Sequence, residues 1–179
     1  MNISLLPGSG QAAGFEAPLD MLSACHDRIE GQCATLQRLP AHLAAHGADA
    51  DARQAAVNVM HYFDTAGRNH HADEERDLFP ALLEAMAGSD AVCLREITQT
   101  LTREHRELDA VWQGLRVQLQ ALSTGDSGAI DSAVVADFIA QHTRHITREE
   151  GELLPMAKRL LGEDQLHAIG ESMRARRGV

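Results

Sequence analysis

At 179 residues the chain is long enough for one domain with a sizeable core and short for two. Hydrophobic residues make up 44% of it but aromatic ones only 3%, and recurrent Ala, Leu, Arg, Glu and Gln beside sparse Tyr and Ile favour helix over strand. The formal net charge of −10 excludes nonspecific attraction to nucleic acid or anionic membrane, and it suits cationic ligands and metals.

Residues 1–17, rich in Gly, Ser and Ala, read as a flexible lead-in, and residues 18–179 as the folded domain. MNISLLPGSG carries no Lys or Arg and is broken by Pro7 and Gly8, unlike a signal peptide. No stretch approaches the length of a membrane span.

Helical spacing begins near residue 18, with Leu19, Leu22, His26, Ile29, Cys33, Leu36 and Leu39 on one stripe, a break or kink at Pro40 and a stop at Gly47. Asp51 is the expected cap of a second helix, whose inner face holds Val59, Phe63, His70, Glu74 and Leu78 and which runs to Gly88 with a kink at Pro80. Ser89 or Asp90 starts a third, with Ile97, Leu101, His105, Leu108, Trp112, Leu115, Leu119 and Leu122 aligned. After the loop TGDSG at 124–128 comes a fourth, with Val134, Phe138, His145, Glu149 and Leu153 inward and Gly162 beyond its end. A short terminal helix covers 163–176. Such stripes predict an all-α, up-down-up-down four-helix bundle.

Cys25, Cys33 and Cys93 show neither CxxC nor CxxxC spacing, which speaks against a disulfide framework or a zinc site and fits a cytoplasmic protein. The basic end, Arg174, Arg176 and Arg177, reads as partners of the last helix dipole.

An internal repeat carries the chemistry. Residues 63–80 and 138–155 align at a constant offset of 75 without a gap, so NHHADEERDLFP answers RHITREEGELLP. In each copy a His and a Glu stand at i, i+4 on one helical face and reach one point: His70 with Glu74, His145 with Glu149. The first and third helices add His26 and His105. These polar groups would be costly in a helical core unless metal ions satisfy them. Four imidazoles and two carboxylates suit iron, with manganese as an alternative, better than copper or closed structural zinc.

Those residues resemble the hemerythrin-like, HHE cation-binding family, whose pattern is a His on the first helix, HxxxE followed by LFP on the second, a His on the third and HxxxE on the fourth. The resemblance covers roughly residues 18–161. It implies a left-handed bundle around a carboxylate-bridged, oxo- or hydroxo-bridged pair of irons, open to manganese or zinc substitution, with His26, His70, Glu74, His105, His145 and Glu149 as ligands. It also implies reaction with a small molecule such as dioxygen, nitric oxide or peroxide, and no nucleic-acid or membrane partner. Oxygen-carrying hemerythrins place HxxxH on the third helix, whereas here position 109 is Asp109 and position 101 is Leu101. That departure leaves one imidazole fewer and turns the expectation from simple oxygen carriage toward peroxide chemistry, redox sensing or iron sensing.

Some residues admit two readings. His71 and Glu75 share the i, i+4 relation one position on and are alternatives to His70 and Glu74; Glu75 and Glu150 otherwise sit at the surface or behind the ligands. Asp109 and Glu30 are candidate ligands, acceptors behind the ligands or surface groups, with the latter two preferred; His142 either shapes the site or, as preferred, faces solvent. His42, His46, His61 and His167 show no partner pattern. Phe63 and Phe138 either wall a dry pocket or pack the core. Pro80 and Pro155 mark kinks or helix ends. The functional expectation is a di-iron module that binds or senses a small oxidant or iron state; the alternative is a di-iron enzyme that decomposes peroxide or repairs iron–sulfur centres. Iron–sulfur repair proteins of this family carry a cysteine-bearing region at the N-terminus, which these residues lack.

Overall fold

The computed structural model describes residues 14–86, 91–126 and 128–179. Rod α1 is Pro18–His46, ended by Gly47 at a positive φ of 70°. Rod α2 strings together the α-helical stretches Ala50–Tyr62, Arg68–Asp73 and Phe79–Ala85 through π-helical turns at Phe63–Gly67 and Glu74–Leu78. Rod α3 is Ala91–Thr124. Rod α4 runs through Ser132–Arg148, a π-helical turn at Glu149–Leu153 and Leu154–Leu160, and α5 is Glu163–Arg177. Among the described residues there is no strand, and no helix is long and apolar enough to cross a membrane.

Rod α1 packs against α2 and α4, and α3 packs against the same two, which closes the up-down-up-down bundle. Its apolar filling falls into two clusters. One contains Ile29, Leu36, Phe63, Trp112, Leu119 and Phe138, the other Leu22, Leu78, Leu94, Leu101, Leu153 and Met173. The polar layer of histidines and glutamates lies between them in sequence along α1, α2 and α3, and on α4 it is interleaved with Ile146 of the first cluster.

Several local expectations are corrected. The first helix runs unbroken through Pro40. Leu36, Leu39 and Leu43, all buried around it, contribute about 1.5–3 kcal/mol each, which outweighs about 3 kcal/mol for the lost hydrogen bond and ring clash. Asp49 rather than Asp51 caps α2, its carboxylate accepting from the Ala52 amide at 2.9 Å. Val135 is buried where Val134 was expected, because a step of three from 135 to 138 continues into the buried positions 142 and 145. The second helix ends at Ala85; Gly88, Ser89 and Asp90, like most of the lead-in, lie outside the described residues.

The π-turns at Glu74–Leu78 and Glu149–Leu153 follow from the spacing of the repeat. Positions 70, 74, 78 and 82 are three successive steps of four, and each step over-rotates an α-helix by roughly 40°. A π-turn takes up the excess and keeps all four residues on the buried face. In both copies the turn begins at the inward glutamate, whose carbonyl accepts from the amide five residues on, Phe79 or Leu154. Pro80 and Pro155 then fall in the first turn of the next α-helical stretch, where a missing amide is tolerated. They end neither helix.

Rod α5 is clasped to α2 by ion pairs. Asp73 is fully buried and receives Arg176 together with Arg177, the latter at 2.6 Å; Asp77 binds Arg176 at 2.7 Å and Ser172 at 2.7 Å. These terminal arginines therefore hold a buried carboxylate instead of merely facing the helix dipole. Gly170 lets the chain at Phe15 cross closely, since a Cβ there would meet the Phe15 carbonyl at 2.0 Å. Removing one partner of a buried ion pair costs about 3–5 kcal/mol, so Asp73→Ala is expected to lower the unfolding free energy by about 3 kcal/mol, read by urea denaturation, whereas Asp20→Ala at an exposed pair leaves it nearly unchanged.

Candidate metal centre

All six expected residues meet in the polar layer. His26 comes from α1, His70 and Glu74 from α2, His105 from α3, His145 and Glu149 from α4, and none is more than 4% exposed. Their donor atoms form two groups that share both glutamates: His26 and His70 with Glu74 and Glu149, and His105 and His145 with the same pair, each within 4.8 Å. Each carboxylate sends one oxygen to each half. Glu74 Oε1 lies 3.5 Å from His70 Nε2 and its Oε2 3.2 Å from His105 Nε2. Glu149 Oε2 lies 3.0 Å from His26 Nε2 and its Oε1 3.1 Å from His145 Nε2.

These groups fit a pair of cations. His26 Nε2, both nitrogens of His70 and all four carboxylate oxygens of Glu74 and Glu149 are buried without a hydrogen-bond partner. Imidazole nitrogens and carboxylate oxygens 3.0–3.5 Å apart converge on shared points that protons or cations can occupy. Leaving so many buried polar atoms unsatisfied would cost several kcal/mol, and cations remove that cost.

A ring of carboxylates orients the imidazoles from behind. His26 Nδ1 meets Glu150 at 2.6 Å, His105 Nδ1 meets Glu75 at 2.7 Å, and His145 Nδ1 meets Glu104 at 2.9 Å. Arg148 in turn grips Glu104. Donation from Nδ1 leaves Nε2 aimed inward as a lone pair, the arrangement that outer partners impose on metal-binding histidines. The doubled glutamates of the repeat thus divide their work, the first entering the centre and the second reaching a histidine on another rod. Glu104 was missed, because its partner lies 41 positions away and no local pattern joins them.

The remaining candidates sort by burial. His142 is buried, against expectation; its Nδ1 meets the Phe138 carbonyl at 3.1 Å, and burial pushes its pKa down to about 4. Glu30 and Asp109 are exposed and outside both groups. His42 pairs with Asp49 at 3.0 Å, and His46, His61 and His167 are exposed. His71 is half-buried, its ring stacked 3.9 Å from that of His105.

Charge and burial compete in the cluster. Burial pushes His26 and His105 down, but the surrounding glutamates override it and raise them to about 9 and about 10. Burial, reinforced by the charge of Glu149, raises Glu74 to about 7. Burial also acts to raise Glu149, yet the imidazoles around it hold it well below the usual carboxylate range.

The profile of the hemerythrin HHE cation-binding domain matches residues 17–157. This chain belongs to that family. An uncharacterized protein of Haemophilus influenzae is 34% identical over 169 residues, spanning 94% of this chain and 95% of the relative. Cation binding is thus the property of the HHE domain for which this polar layer has the donors.

Because His26 and His105 are raised to about 9 and about 10, both hold a proton near neutrality when no cation is present, and a cation must displace it to reach the lone pair. Metal affinity, measured by competition with a chelator, is therefore expected to rise from about pH 6 to about pH 8, with proton release visible to an indicator dye. An affinity independent of pH in this range would contradict the ligand assignment.

Proposed function

We propose that this HHE domain holds two iron ions through His26, His70, Glu74, His105, His145 and Glu149 and uses them to bind or sense dioxygen, nitric oxide or peroxide. Bound iron would supply reversible electron transfer to such a molecule. The protein's own residues do the rest: the glutamates span the two halves, Glu75, Glu104 and Glu150 fix the imidazoles, and the apolar clusters keep bulk water from both ends.

The observation that carries this reading is a cavity of about 40 Å³ beside the polar layer, lined by Ile29, Phe63, Gly67, Trp112, Phe138 and His142 among others. About 10–15 Å³ of such space admits one water, so this one has room for a diatomic or a peroxide. Gly67 and His142 occupy matching positions of the repeat, and the glycine lets the Phe63 ring pack close to the α2 backbone, since a Cβ at 67 would meet that ring at 3.3 Å.

Peroxide decomposition is the second reading, favoured by Asp109. This exposed acid lines both the cavity and an open groove beside His71 and His105, between solvent and the pocket.

Iron content per chain after anaerobic loading, followed by visible spectra in air and after reduction, tests the proposal. Near two irons with a charge-transfer band that bleaches on reduction supports it; no iron uptake would sink it. Stoichiometric binding of the small molecule marks the carrier or sensor, while steady dioxygen evolution from peroxide marks the enzyme. In addition, Ile29→Ala is expected to speed and Ile29→Phe to slow the reaction of the reduced protein with nitric oxide by roughly tenfold, at unchanged iron content and an overpacking cost of about 1–3 kcal/mol for the larger side chain.

A further inference from the structure

We infer that His71 joins His70 as a ligand, giving the His105 and His145 half of the centre a third imidazole; the inference rests on the di-metal reading above. Adjacent residues on a helix point about 100° apart, so one turn of α2 can feed both halves. His70 faces His26, with ring centroids 4.8 Å apart. His71 turns the other way, against His105 at 3.9 Å and toward His145 at 5.9 Å. Its donor nitrogen lies within 4.8 Å of those of His105 and His145, which makes a three-imidazole group on that side.

Two further observations support the assignment. His71 is half-buried and makes only ring contacts among the described residues, so no side chain there already holds its nitrogens. The matching residue of the repeat is Ile146, buried and apolar, so the extra imidazole enters one half only. It stands where the sequence left a vacancy. With Asp109 exposed on α3, the neighbouring rod α2 supplies the nitrogen that a second α3 histidine would have offered. His70 and His71 are then partners serving opposite halves, not alternatives.

Crystals of the iron-loaded wild-type protein, with anomalous diffraction at the iron edge, test this directly. The metal nearest His105 and His145 is expected within about 2.3 Å of a His71 nitrogen; a separation beyond hydrogen-bond reach overturns the inference. In solution, His71→Ala and His71→Gln are expected to keep one metal at wild-type affinity and to bind the other at least about tenfold more weakly by chelator competition. Added imidazole, entering by the open groove that His71 lines, is expected to restore the loss in the Ala variant. Metal affinity unchanged in both variants overturns the inference while leaving the di-metal reading intact, whereas a wild-type chain that takes up no metal overturns both.

Discussion

Glu74 and Glu149 carry their carboxylates into the middle of an apolar bundle, and neither accepts a hydrogen bond there. Two such anions facing each other in a low-dielectric interior repel strongly, so four inward imidazoles on four rods surround them. Much of the architecture answers that condition. The rods must stay close enough for each oxygen to reach a different histidine, and the leucine-rich clusters on either side exclude the water that would otherwise dissipate the charge.

The doubled glutamate and the π-turn are one device seen twice. Starting the wide turn at Glu74 and Glu149 keeps the four-residue steps that follow on the buried face, while the next glutamate, Glu75 or Glu150, falls outside and reaches His105 or His26. Local backbone geometry in two rods therefore sets both the inner donors and the outer hydrogen bonds, and a change in either turn would be felt on the opposite side of the bundle. The clasp of Arg176 and Arg177 on Asp73 works on the same segment, since Asp73 directly precedes Glu74. Rod α5 thereby steadies the stretch from which the α2 donors project.

The two halves of the repeat are alike in their donors and different in what surrounds them. Gly67 stands where the second copy has His142, and His71 where it has Ile146. The first residue lines the small cavity; the second puts an imidazole beside His105. Both lie toward the α2 and α3 side, where the groove with Asp109 opens to solvent, so access and asymmetry coincide.

By itself the sequence determined the helical class, the order of the rods and the six inward residues, because periodicity and a gapless repeat are properties of spacing alone. It also contained the signal for the π-turns, three successive steps of four, which a reading centred on proline as a helix breaker passed over. Only tertiary structure decided how the carboxylates divide their oxygens between halves, that Glu104 stands behind His145, that His142 is buried, that Arg176 and Arg177 hold the buried Asp73, and that His71 lies against His105. Each of those facts depends on the distance and rotation between rods that are far apart in the chain, and a helix stripe fixes which face is buried without fixing which side chain it meets.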